Sequence, residues 1–200
     1  MTKIKLCGLS RPCDIEAVNR LKPEYIGFVF AIKSKRFVPY DTAHKLKSML
    51  DKDIKAVGVF VDESEENVAM LLNKGTIDIA QLHGNEDESY IGRLRALTPK
   101  PIIKAFKVTS EEDVKKADLS SADYVLLDSG AGTGMTFNWE FIKGIKRPYF
   151  LAGGLDPLNV SHAVKALNPF AVDVSSGIET DGLKDEQKMT DFVSNVRKES

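Results

Sequence analysis

Short apolar runs rich in β-branched residues recur along the chain, with amphipathic stretches between them. The runs span 3–7, 25–29, 56–61, 77–81, 102–106, 124–128, 148–151 and 170–174. Their starts lie about 20–30 residues apart, the length of one strand–helix unit. The intervening segments carry the helical period. One covers 14–21, and another covers 41–50 with Ala43, Leu46, Met49 and Leu50 on one side. Val68, Leu71 and Leu72 mark a third, and Ile91, Leu94 and Leu97 a fourth. Ser64 followed by Glu65 and Glu66 places acids in a first helical turn, and Asp156-Pro157 ahead of 158–167 reads as a cap with proline at the first helical position. Eight such units in 200 residues, with no linker or low-complexity stretch, predict one α/β domain over 1–200, a single closed (β/α)8 barrel. A doubly wound sheet is the competing topology.

Composition narrows the function classes. A formal net charge of -1 leaves no basic footprint for nucleic acid. The longest apolar stretch, 25–32, is far too short to cross a bilayer, so no membrane partner is expected. With two cysteines no disulfide framework is expected, and with no amino-terminal signal pattern the expected compartment is the cytoplasm. The sequon at Asn159-Val160-Ser161 therefore carries no weight. Without a long exposed apolar stripe, a monomer is expected.

A barrel places its chemistry at the carboxyl ends of its strands. That rule selects Cys7, Gln81, His83, Asp128, Gly153-Gly154 and Ser175-Ser176-Gly177. Cys7 closes the first run, where a thiol either fills space or reacts. Cys13, at the start of the first helix, reads as structural. Asp128 is either a turn aspartate or a general acid or base facing the loop Gly130-Ala131-Gly132-Thr133-Gly134. That loop departs from a dinucleotide fingerprint in spacing and in strand position.

The loops at Gly153-Gly154 and Ser175-Ser176-Gly177 follow strands seven and eight, where a barrel holds phosphate. Glycines there let main-chain N–H groups approach an anion. Arg36, among the solvated lysines 33 and 35, has a fork suited to a carboxylate. His83 reads as a turn histidine or a polar contact at the mouth, and His44 and His162 as surface or packing residues of helices. Three separate histidines make no metal motif. The expected partner is a small phosphorylated molecule, handled by proton transfer with no cofactor.

Together these blocks resemble the phosphoribosylanthranilate isomerase family nearly end to end. The resemblance lies in the order and spacing of Lys5-Leu6-Cys7-Gly8-Leu9, Ser34-Lys35-Arg36, Val57-Gly58-Val59-Phe60-Val61, Gln81-Leu82-His83-Gly84, Ile103-Lys104-Ala105-Phe106, Leu126-Leu127-Asp128-Ser129, Gly132-Thr133-Gly134, Leu151-Ala152-Gly153-Gly154-Leu155 and Asp173-Val174-Ser175-Ser176-Gly177-Ile178-Glu179. It implies a (β/α)8 barrel and an Amadori rearrangement in tryptophan biosynthesis, with Cys7 as general base and Asp128 as general acid. It further implies Arg36 on the anthranilate carboxylate and the glycine loops on the phosphate. Met135 departs from the family pattern, which often carries lysine or glutamine there.

At neutral pH a free thiol, titrating near ~8.5, and a free aspartic acid, near ~3.9, are each mostly in the wrong form for these roles. A desolvated pocket would raise Asp128. Lys5, two residues back on the same strand face, is the candidate source of positive potential for Cys7. Two other readings compete: a further phosphosugar isomerase or epimerase barrel, and a barrel that binds a metabolite without catalysis.

Overall fold

The structure is a computed structural model that describes residues 1–128 and 141–199. Eight parallel strands close a barrel in chain order, and the last pairs back onto the first. They are β1 (Lys3–Cys7), β2 (Tyr25–Val29), β3 (Lys55–Phe60), β4 (Ile79–Leu82), β5 (Ile102–Lys107), β6 (Tyr124–Asp128), β7 (Tyr149–Ala152) and β8 (Ala171–Val174). Outside them lie α1 (Pro12–Leu21), α2 (Tyr40–Met49), α3 (Glu65–Asn73), α4 (Glu88–Leu97), α5 (Glu111–Leu119), α6 (Val160–Leu167) and α7 (Glu186–Lys198). A two-stranded hairpin, β9 (Glu179–Thr180) with β10 (Leu183–Lys184), sits between β8 and α7.

The strands are apolar on both faces because both faces are covered. Successive side chains alternate between the helix layer and the interior. Ile4, Leu6, Ile26 and Phe28 pack outward in the strand–helix core, whereas Tyr25, Val57, Ile79, Ile103, Leu126 and Phe150 fill the interior. The same alternation stacks three polar side chains inside β1. Lys3 lies over the Phe170 ring, 4.4 Å from its centroid, Lys5 is wholly buried, and Cys7 packs with Val29 and Val59 near the mouth.

Three of the expected strands, β1, β2 and β6, have the predicted bounds, and the others shift by one or two residues. The Ser64 cap holds, its side chain accepting from the Asn67 amide. The helix expected from 158 begins at Val160 instead. The Asp156 carboxylate accepts from the amides of Leu158 and Asn159, so it caps a preceding turn that leads into α6. Met49 and Leu97, expected on buried stripes, are exposed in the last turns of α2 and α4. Helices α5 and α7 are additional to the amphipathic segments named from sequence.

Candidate active site

A cavity of about 380 Å³ opens at the carboxyl ends of the strands. Its wall includes Cys7, Arg36, Gln81, His83, Asp128, Gly153, Gly154, Asp173, Ser175 and Ser176. Residues from six strand ends or their loops thus meet in one place, as barrel geometry demands.

Cys7 is seated by a gap in the neighbouring strand. It pairs in register with Gly27, where any Cβ would lie 2.5 Å from the Cys7 sulfur. Beneath it Lys5 pairs across the β1–β8 register with Asp173, Nζ to Oδ2 at 2.8 Å. Burial would lower the Lys5 pKa, but the charge and hydrogen bond of Asp173, together with Cys7, carry it upward, so it stays an ammonium. Burial pushes the Cys7 thiol up, and Lys5 opposes that shift. Lys5 therefore acts on Cys7 in the expected direction without winning outright.

A second charged group stands beside the thiol. Glu179 takes both hydrogen bonds of the Arg36 fork, from Nε at 2.5 Å and from Nη2 at 2.7 Å. It also accepts from Lys184 at 2.6 Å. These donors outweigh the burial that would otherwise raise the Glu179 pKa, and the net shift is downward. Gly8, with φ +82°, leaves the space they occupy: a Cβ there would lie 2.5 Å from Arg36 Cδ and 3.3 Å from Lys184 Nζ.

Across the cavity, the His83 ring lies between Gln81 and Asp128. Gln81 Nε2 is 2.9 Å from His83 Nδ1, and His83 Nε2 is 3.4 Å from Asp128 Oδ2. With the Gln81 amide donating to Nδ1, Nε2 is the ring nitrogen left to donate toward Asp128. The turn that follows is braced from below. Buried Lys104 donates to the Gly84 carbonyl at 2.8 Å and to Glu86 at 2.9 Å. Glu86 in turn accepts from the amides of Asp62 and Gly84.

The two glycine loops are fitted to each other. Gly153 and Gly154 have φ of 92° and 62°, which favour glycine. A Cβ on Gly177 would come 2.0 Å from the Leu155 carbonyl oxygen, so no side chain fits there. The Ser175 hydroxyl donates to the Cys7 carbonyl at 3.2 Å, tying this loop to the end of β1.

Of the residues selected from sequence, Cys7, Arg36, His83, Asp128, Gly153, Gly154, Ser175 and Ser176 line the one cavity, and Gly177 wedges the loop behind it. Cys13, expected to be structural, is exposed at the second position of α1. His44 and His162 are exposed on α2 and α6. The glycine-rich loop after Asp128 and Met135 lie outside the described residues. Asp173 and Glu179 stand out in the sequence only as parts of a longer block, and Lys184 does not stand out at all. The legible signal was Asp181-Gly182 between two short runs, a two-residue hairpin turn that returns the chain to the mouth.

Residues 4–195 match the family described as N-(5'phosphoribosyl)anthranilate (PRA) isomerase. A curated relative from Endomicrobium trichonymphae, named N-(5'-phosphoribosyl)anthranilate isomerase, is 46% identical over 202 residues, covering 98% of this chain and 99% of its own. The fold is similar to the crystal structure of phosphoribosyl anthranilate isomerase from Thermotoga maritima, with a TM-score of 0.90 and 32% identity over 99% of this chain and 100% of that one. A second structure of that enzyme type, in complex with reduced 1-(o-carboxyphenylamino)-1-deoxyribulose 5-phosphate, matches at a TM-score of 0.87 and 32% identity, again over 99% and 100%.

Proposed function

The chain belongs to the N-(5'-phosphoribosyl)anthranilate isomerase family, and from that footing we propose that Cys7 and Asp128 divide the proton transfers of its reaction. It is an isomerase of tryptophan biosynthesis. It converts N-(5-phosphoribosyl)anthranilate to 1-(2-carboxyphenylamino)-1-deoxyribulose 5-phosphate by an Amadori rearrangement. Membership sets aside the epimerase and non-catalytic readings.

Protonated Asp128 gives its proton to the ribose ring oxygen as the bond from C1 to that oxygen breaks, leaving an iminium. The Cys7 thiolate then takes the proton from C2, forming an enolamine. Loss of the C2 hydroxyl proton and gain of one at C1 yield the ketone. The two groups face one cavity from separate strands, β1 and β6, three places apart in the ring, and that single observation carries the assignment. Arg36 receives the anthranilate carboxylate. Because Glu179 already fills two of its hydrogen bonds, the substrate meets an arginine held in place. The loops at Gly153, Gly154, Ser175, Ser176 and Gly177 hold the phosphate through main-chain N–H groups. His83 holds Asp128 in place and contacts the substrate between them.

The site is proposed to work in a cytoplasmic monomer. Both cysteines are free thiols, and Ile32, Leu119 and Leu158, among the most exposed apolar side chains, belong to different segments, after β2, at the end of α5 and ahead of α6. Among the described residues no helix is long and apolar enough to cross a membrane. Sedimentation velocity checks the monomer. For the chemistry, the wild-type chain is expected to complement an isomerase-deficient tryptophan auxotroph, and Cys7→Ala and Asp128→Asn to fail. Full turnover by both variants overturns the assignment.

A further inference from the structure

Burial works against the state that Cys7 needs, so the charges around the thiol decide whether it can serve. Four charged side chains face it. Lys5 lies below it on β1, Asp173 on β8, Arg36 on the loop after β2, and Lys184 on β10. Lys184 is the unexpected one. Its side chain is 2% exposed, and its ammonium lies 2.6 Å from Glu179, 2.9 Å from the Ser175 carbonyl and 3.4 Å from the Ser175 hydroxyl. It presses against Gly8, the residue after Cys7.

Among the described residues the charges in this cluster do not balance without a further anion. Lys5 is matched by Asp173, but Arg36 and Lys184 share the single carboxylate of Glu179. One positive charge is left over in a buried setting, which is costly unless an anion joins it. A Cys7 thiolate is one such anion, supplied by the protein itself beside the substrate carboxylate that Arg36 receives. We propose that Lys184, delivered to the barrel mouth by the β9–β10 hairpin, is a positioning residue that opposes the effect of burial and favours the Cys7 thiolate for proton abstraction. The proposal rests on Cys7 being the general base and adds a group that favours that role. The hairpin is thereby part of the active site, although it lies outside the eight-stranded barrel.

The test reads the thiol directly, in a Cys13→Ser background so that Cys7 is the only thiol. The rate of alkylation by iodoacetamide against pH gives the Cys7 titration, and kcat and KM are measured over the same range. Lys184→Met is expected to move the titration up by about one pH unit, a roughly tenfold loss of thiolate at neutral pH. The limb of kcat that rises as Cys7 ionises should move with it, KM should change little, and Lys184→Arg should restore the wild-type curve. Glu179→Gln, which removes a negative charge from the same cluster, is expected to move the titration down. Opposite shifts from two neighbouring substitutions do not arise from general loosening of the loop. An unmoved Cys7 titration in Lys184→Met overturns the proposal. If that variant does not fold, an unmoved or raised titration in Glu179→Gln overturns it. If alkylation shifts as expected while kcat does not follow, Lys184 still tunes the thiol and the general-base reading of Cys7 is what falls.

Discussion

Cys7 occupies its seat because the opposite position on β2 has no side chain. Gly27→Ala would place a methyl 2.5 Å from the sulfur, so the thiol must rotate or the strands must part. Overpacking of this kind costs about 1–3 kcal/mol. The larger expected effect is a fall in kcat with KM little changed, measured by steady-state kinetics beside a thermal melt. Cys7→Ser keeps the shape but has a far weaker acid, and kcat should fall by roughly 10²–10⁴-fold while product-analogue binding by calorimetry persists. Loss of binding alone would count against the base role. The pH dependence follows from burial, which favours the neutral thiol. Activity should rise with pH through a Cys7 titration displaced above the ordinary thiol value of about 8.5, and a rate–pH profile checks it. Cys7, Asp128 and Arg36 were legible because each stands at a strand end or in the loop beyond it. Lys184 was not, since a lysine in a polar turn looks solvated until the hairpin folds it inward.

At the scale of elements, the loops after β7 and β8 behave as one part. Gly177→Ala would drive its Cβ into the Leu155 carbonyl and push the loops apart. The expected result is a raised KM for the phosphorylated substrate with a smaller change in kcat, read by kinetics and by competition with inorganic phosphate. The strands were readable because both faces are buried, which leaves unbroken apolar runs such as Tyr25–Val29. Helices were less uniform. In α7, Met189, Phe192, Val193 and Val196 repeat at helical spacing and all are buried, so its signal was present in the chain. In α5 only Val114 and Ala117 are buried, and so sparse a stripe leaves little to read. The observed start of α6 lies beyond the expected one because Asp156 and Asn159 exchange bonds with each other's amides and so close the turn ahead of the helix, which Asn159 enters without a side-chain cap of its own.

The whole molecule buries two lysines on its barrel strands, each matched by a carboxylate: Lys5 inside the ring with Asp173, and Lys104 on the helix side of β5 with Glu86. Removing one member leaves a buried charge unmatched, a loss of about 3–5 kcal/mol. Lys5→Met should therefore lower the urea midpoint as well as disturb Cys7. Acid weakens the fold by a related route. Burial alone would raise Glu179 and Glu88, but their hydrogen bonds, from Arg36 and Lys184 and from Ser121 and Ser120, lower both in the folded state. Their stabilisation is complete above the ordinary glutamate value of about 4.3 and is lost as pH falls through the lower folded values. Urea titrations below that value should show a shallower decline for Glu179→Gln than for wild type.

The ion pair between Lys5 and Asp173 joins positions 168 residues apart. As the chain leaves the ribosome the thiol strand comes first, and the residues that charge its surroundings come almost last. Seven strands can be made and paired in order while Cys7 remains an ordinary cysteine. Only when β8 docks on β1 and the following hairpin turns back does the sulfur meet Asp173 and Lys184. Chemical reactivity at this one atom is therefore a reporter of ring closure, and its appearance during refolding should mark the end of assembly.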